Sequence, residues 1–331
     1  LQMTNMISYQ ELVRTFPNEM DTPPEVFAPL FRVLKSQGIK HMTFHVGEDF
    51  SHLVSGIRAI ADAIRFLPLD NGDRLGHCTS IGIIPAIWRR SLPPTLTVTQ
   101  ETHLLDLIFV WQTLRHNHLM LKWANLAASK ALTLAQKIFK DSSISCIEHL
   151  DAIFSLRDIY PLYEPLQDEN RWQLRAASVW DAEYQRVDEL LNKVERRSEL
   201  NLYRRWLFDD EIRKTRNTMH TLLTDWLPDE ALIALQQAVM KDIAKKNIAI
   251  ECPPTSNTRI SQYIEVKEHH VFRWMGLPSN SIEGDVPMSV CFNQFRIILQ
   301  IQCLTISFYS SCINRGDIPK VFCPVHNLYL L

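Results

Sequence analysis

Between positions 23 and 37, in PPEVFAPLFRVLKSQ, the residues Val26, Phe27, Leu30, Phe31 and Leu34 recur at helical spacing. The spacing predicts an amphipathic helix, and Gly38 follows where a helix C-terminus commonly turns left-handed. The period then changes: in IKHMTFHVGED, Met42, Phe44 and Val46 alternate with Thr43 and His45, as the two faces of a strand do. HLVSGIRAIADAIRFL returns to the 3.6-residue period through Leu53, Ile57, Ile60, Ala61 and Ile64, and GDRLGHC offers a short strand ending at His77. Helix, strand, helix, strand in close succession is the grammar of an α/β fold with parallel strands, because parallel neighbours need a crossover. Function in such folds gathers where strands end and loops begin, which is where His45, Glu48 and His77 fall.

From Gln100 to Lys246 the pattern is one of long helices. HLLDLIFVWQTLRHNHLMLKWANLAASKALTLAQKIF is densely apolar and reads as buried helices, whereas the stretch from Arg171 to Lys214 mixes ten basic with nine acidic residues and reads as a solvated helical face. The α/β pattern resumes at NIAIECPPTSN and DVPMSVCFN, both strands leading into loops. After Asn293 the composition stays β-prone, but no helix follows the strand and the earlier pattern is lost. The expected organisation is therefore 1–99 and 247–293 as α/β segments, 100–246 as a helical insertion, and 294–331 as an atypical tail.

The chain has 331 residues, 46% hydrophobic and 22% charged, enough for a sizeable core. A formal charge of -2 without any basic block argues against stable nucleic-acid binding or an electrostatic hold on a membrane surface. Seven scattered cysteines, an odd number without paired spacings, suit a reducing cytoplasm better than a disulfide framework. The N-terminal LQMTNMISYQELVRTF has neither a basic segment followed by an apolar core nor a membrane anchor, and its opening Leu1 suggests a start further upstream.

Two short motifs carry the chemistry. In HVGED, a strand that points His45 inward and turns through Gly47 can bring an imidazole and the Glu48 carboxylate into one cavity, the first to hold a metal and the second to move protons. In DRLGHC, Gly76 allows close backbone approach and His77 ends the strand, placed to orient an attacking hydroxide. The plain alternatives are a satisfied strand-end histidine with an exposed glutamate, and a polar cap on a buried strand. Cys323-Pro-Val-His326 has metal-binding residue types without a partner pair, Trp206 and Phe208 suit core or insertion surface, and His116 and His118 suit exposure between helices.

Order and context add weight. HVGEDFSHLVSGIRAIADAIRFLPLDNGDRLGHCTSIGI resembles the adenosine deaminase family in its strand, HxGE, helix, strand and GH arrangement; ECPPTSN resembles that family's Cys-Pro-Thr-Ser-Asn segment and DVPMSVCFN its last strand. The long helical stretch is similar to that of large bacterial deaminases of the RADAR antiphage type. The resemblance implies a (β/α)8 TIM barrel, of which this chain supplies a partial barrel, its second half, with a large helical insertion. It implies zinc as cofactor and a purine nucleoside as substrate: His45 as a zinc ligand, Glu48 as the acid that protonates purine N1, and His77 as the residue assisting the attacking water. Thr255, Ser256 and Asn257 match a segment at the barrel mouth and receive no catalytic role.

The departures matter as much. The family carries a His-x-His pair after its first strand, whereas here only His41 precedes His45; its Asp-Asp pair after the last strand is replaced by Asn293-Gln294-Phe295-Arg296, with no carboxylate until Asp317. Two expectations follow: an incomplete, inactive version of a zinc deaminase, or a non-catalytic assembly module using the helical stretch. A homo-oligomer is compatible with either.

Overall fold

The computed structural model describes residues 22–90, 92–159, 181–191, 197–252, 263, 266–277 and 280–292. A 3-10 turn at Pro24–Phe27 leads into α1 (Ala28–Ser36). Because a 3-10 turn has three residues per turn, the apolar stripe starts one step late: Val26, expected inside, is 38% exposed, while Val33 is buried with Phe27 and Phe31. Gly38 ends the helix at φ +90 as expected, its N–H bonding to the Lys35 carbonyl and that of Ile39 to the Leu34 carbonyl. In β1 (Thr43–Val46), Phe44 and Val46 are buried on one side along with Met42 before them. The crossover is α2 (Leu53–Phe66), whose Leu53, Ile57 and Ile60 are fully buried, and it delivers the chain to β2 (Arg74–His77).

Beyond β2 come α3 (Thr79–Gly82), α4 (Pro85–Arg89), β3 (Thr95–Thr99), α5 (Gln100–Leu114), α6 (Leu121–Phe139), α7 (Ile147–Phe154), α8 (Asp181–Leu191), α9 (Arg197–Phe208), α10 (Asp210–Arg216), β4 (Met219–Leu223), α11 (Asp229–Lys245), β5 (Ala249–Cys252), α12 (His270–Trp274) and β6 (Val290–Phe292). The protein is thus mixed α/β, with a four-stranded sheet in the order β1-β2-β5-β6, every neighbouring pair parallel. Both α5 and α11 pack on α2, and α11 also packs on α3, so these helices share one hydrophobic core with the sheet. None of the described helices is long and apolar enough to cross a membrane.

Among the described residues of 100–246, one element escapes the helical reading. β4 pairs antiparallel with β3, Thr95 opposite Leu223 and Thr99 opposite Met219. The apolar stretch does form helices, broken at His116 and His118, which are exposed as expected. The described part of the charged stretch is less solvated than its composition implies. Glu183, Tyr203 and Trp206 are buried, and Glu183 accepts two hydrogen bonds from Arg32 at 2.7 Å each while Arg32 also reaches Asp158 at 3.0 Å. Opposite charges met between helices need no water, which a count of charges along one segment cannot reveal. Phe208 remains 42% exposed, so of the aromatic pair one lies in the core and one on the surface.

Candidate functional site

At the C-terminal ends of β1 and β2 the parallel register sets His45 opposite Gly76 and Val46 opposite His77. His45 leaves the strand over Gly76, where a Cβ would lie 2.3 Å from His45 Cδ2; only glycine leaves the imidazole room. The chain then turns through Gly47, at φ +80. A Cβ on Gly47 would meet Ile60 Cδ1 at 2.5 Å and Ser80 Oγ at 2.9 Å. This turn brings Glu48 back to His77, whose Nδ1 lies 3.0 Å from Glu48 Oε2. The rings of His45 and His77 meet edge to face, centroids 4.8 Å apart. Burial, then the neighbouring His77, pushes the His45 imidazole below its ordinary value of 6.5, with Glu48 opposing, so His45 is held neutral with a lone pair to offer.

His77 and Cys78 are both left-handed, at φ 64 and 49, which side-chain-bearing residues adopt only where their surroundings compel it. The compelling contacts are visible. Cys78 N–H bonds to the Val46 carbonyl at 3.1 Å and Ser80 N–H to the Gly47 carbonyl at 2.9 Å, lacing the two strand ends together. From below, Gln236 Nε2 donates to the Ser80 and Ile83 carbonyls, each at 2.8 Å. Gln236 Oε1 in turn accepts from Arg273 Nη1 at 2.7 Å, and Arg273 makes two 2.8 Å bonds to the Asp285 carboxylate. Arg273 and Gln236 are almost wholly buried, so α11 and α12 hold the His77 turn through a continuous polar chain.

A second cluster adjoins the first. Cys252 ends β5, and His269 and His270 begin α12; one ligand atom from each lies within 4.8 Å of the others, and all three residues are buried. The charge of His77 adds to burial in pushing the His270 imidazole down, and the Glu48 charge adds to burial in pushing the Cys252 thiol up, so the two clusters are electrostatic neighbours. Sequence reasoning passed over this trio. The consecutive histidines in KEHHVF were a visible signal, but their partner sits in a distant strand.

A catalytic zinc takes three protein ligands and keeps one position for water. Among the described residues the trio of Cys252, His269 and His270 is the group of three donors that lies close enough; His45, Glu48 and His77 are not such a group. His41, the other histidine near β1, precedes that strand and packs its ring against Gly72, before the start of β2 and away from the C-terminal ends that carry His45 and His77. Among the described residues, the donors around His45 therefore do not close a zinc site as the resemblance arranges it. Thr255, Ser256, Asn257, Cys323, His326 and the 294–331 tail lie outside the described residues. Comparison with models of known families finds no match, and comparison with curated proteins finds none either.

Proposed function

We propose that this chain carries the proton-transfer part of a purine-nucleoside deaminase centre of the adenosine deaminase type, on a partial (β/α)8 barrel, in a form incomplete as a catalyst. The observation that supports it best is the convergence of His45, Glu48 and His77 on the C-terminal ends of two adjacent parallel strands, with His77 Nδ1 3.0 Å from Glu48 Oε2. Barrel enzymes assemble their sites at that end of the sheet. Glu48, held in place by His77, is positioned to deliver a proton to a ring nitrogen of a bound purine, making the adjacent amino-bearing carbon more open to attack. His45 offers a neutral imidazole nitrogen beside it. No hydroxide-forming step is assigned to the chain, because the donors needed to hold zinc do not gather around His45 among the described residues.

The test is a titration of adenosine into the chain labelled at its histidine rings and followed by NMR. Saturable shifts at His45 and His77, a diminished His77 response in Glu48→Gln, and no inosine above the blank are expected. An unresponsive pair of histidines in a folded sample overturns the purine reading; Glu48-dependent inosine overturns its incompleteness. The rival reading, a non-catalytic assembly module, draws support from the outer face of β4, where Met219 is 60% and Leu223 57% exposed on a two-stranded sheet. It expects a dimer or larger species by light scattering that Leu223→Glu dissociates.

A further inference from the structure

The group formed by Cys252, His269 and His270 differs from ordinary core packing in how each nitrogen is used. Tyr263, itself buried, places its hydroxyl 2.7 Å from His270 Nδ1, while His270 Nε2 faces Cys252 Sγ at 3.9 Å. An imidazole fixed through one nitrogen by an oxygen, with the other nitrogen turned to a thiol, has the posture of a metal ligand with its outer support in place. His269 spends Nδ1 on the Val271 N–H at 3.1 Å, capping α12, and its buried Nε2 has no hydrogen-bond partner. His52 is an internal control. It caps α2 in the same manner, Nδ1 to the Val54 N–H at 3.1 Å, yet its Nε2 is bonded to the Thr224 carbonyl at 3.2 Å. Capping alone therefore does not orphan the far nitrogen, and a buried polar atom without a partner requires a reason.

We propose that Cys252 Sγ, His269 Nε2 and His270 Nε2 bind a thiophilic cation, zinc above all, with one coordination position left for a non-protein ligand. The separation of 3.9 Å between Cys252 Sγ and His270 Nε2 is already close to the edge of about 3.5 Å that tetrahedral bonds of about 2.3 and 2.0 Å would create. One thiolate and two imidazoles form a donor set suited to zinc and poorly suited to magnesium or calcium, which take oxygen ligands. A neutral imidazole has no proton to lose on the way to ligation. The thiol does: binding breaks the Cys252 S–H bond, forms a sulfur–metal bond and releases one proton to solvent. Ligation through His269 Nε2 puts that ring's proton on Nδ1 and gives up the Val271 cap, one hydrogen bond exchanged for a metal–nitrogen bond. This site uses neither His45 nor the purine reading, so it stands or falls separately from the proposed function.

The experiment uses the full chain, stripped with a chelator and titrated with Co2+ and then Zn2+. Retention of about one metal per chain, proton release on binding, and a near-ultraviolet thiolate-to-cobalt charge-transfer band are expected. Cys252→Ser and His270→Gln should abolish the band while His45→Ala and Cys323→Ser keep it. Tyr263→Phe, which leaves every ligand in place, should weaken binding about 10- to 100-fold, as loss of an outer hydrogen bond to a ligand histidine does. A chain that retains no cobalt, a band that survives Cys252→Ser, or one that disappears in folded His45→Ala overturns the site; the last result would move the metal to His45 and favour the deaminase reading instead.

Discussion

Gly76 is the floor on which the His45 imidazole lies: across the β1–β2 register a single added carbon would come within 2.3 Å of His45 Cδ2. Gly76→Ala should therefore push the ring off its present position and weaken the fold by about 1–3 kcal/mol, the usual range for overpacking a core. Urea unfolding checks the stability and the His45 ring resonance checks the displacement. A melt and a spectrum like those of the parent chain would show that the two strands can part without consequence.

The polar chain beneath the His77 turn makes a separate expectation. Gln236→Leu keeps most of the side-chain volume but strips the hydrogen bonds from the Ser80 and Ile83 carbonyls and leaves Arg273 Nη1 without its shortest bond. The loss should be about 2–3 kcal/mol, since buried groups are left unpaired. Because the strained His77 and Cys78 conformations rest on that turn, amide hydrogen exchange at 78–83 should rise more than elsewhere. Uniform acceleration across the chain would make Gln236 an ordinary core residue.

Acid should unfold this protein through its histidines. Burial pushes His52 down to about 4 and His269 to about 4, and burial with the neighbouring His220 pushes His103 to about 3, all from an ordinary 6.5. A histidine whose folded value lies below its unfolded value binds its proton more readily in the unfolded chain. Stability is thus full above pH 6.5 and declines as pH falls through the window from 6.5 to about 4. Each such histidine withdraws on the order of 3 kcal/mol by the bottom of that window, at about 1.4 kcal/mol per unit. Thermal melts from pH 7.5 to 4.5 should fall steeply below 6.5, and His103→Phe should flatten the slope. A flat profile would mean that these rings are open to water.

Arg32 ties α1 to Glu183 on α8 through two bonds of 2.7 Å. Removing the guanidinium in Arg32→Met leaves the buried Glu183 and Asp158 carboxylates facing each other with less compensation, a loss of about 2 kcal/mol or more. Limited proteolysis should then cut near α8 first. Unchanged cleavage would assign the anchoring of α8 to its apolar contacts alone.

The part of the fold that sequence made legible is the part written in local periodicity. Met42, Phe44 and Val46 against Thr43 and His45 state a strand face within five residues, and the α2 stripe states its own crossover, so the placement of His45 and His77 at adjoining strand ends followed. Relationships between distant segments were not legible. TLTVT alternates plainly, yet its partner is MHTLL, about 120 residues further along the chain, and neither segment alone identifies a sheet. Glu183 looked solvated because Arg32 lies far away in sequence, and the Cys252, His269 and His270 donors converge only once β5 and α12 are folded. Tyr263, which orients His270, offered no motif at all.

The sheet order also has a consequence for synthesis. β2 pairs with β5, so Leu75 waits for Ile250, about 175 residues further along the chain. At roughly 5–20 residues per second, on the order of ten to thirty seconds pass between the emergence of the two strands from a ribosome. During that interval β1, α2 and β2 can assemble as a unit, but the far side of β2 presents its open row of amide and carbonyl groups. The nascent chain is then stickiest at the stretch that carries His77, and a holding chaperone, or the early docking of α5 on α2, is what would keep that edge from pairing with a neighbouring nascent copy.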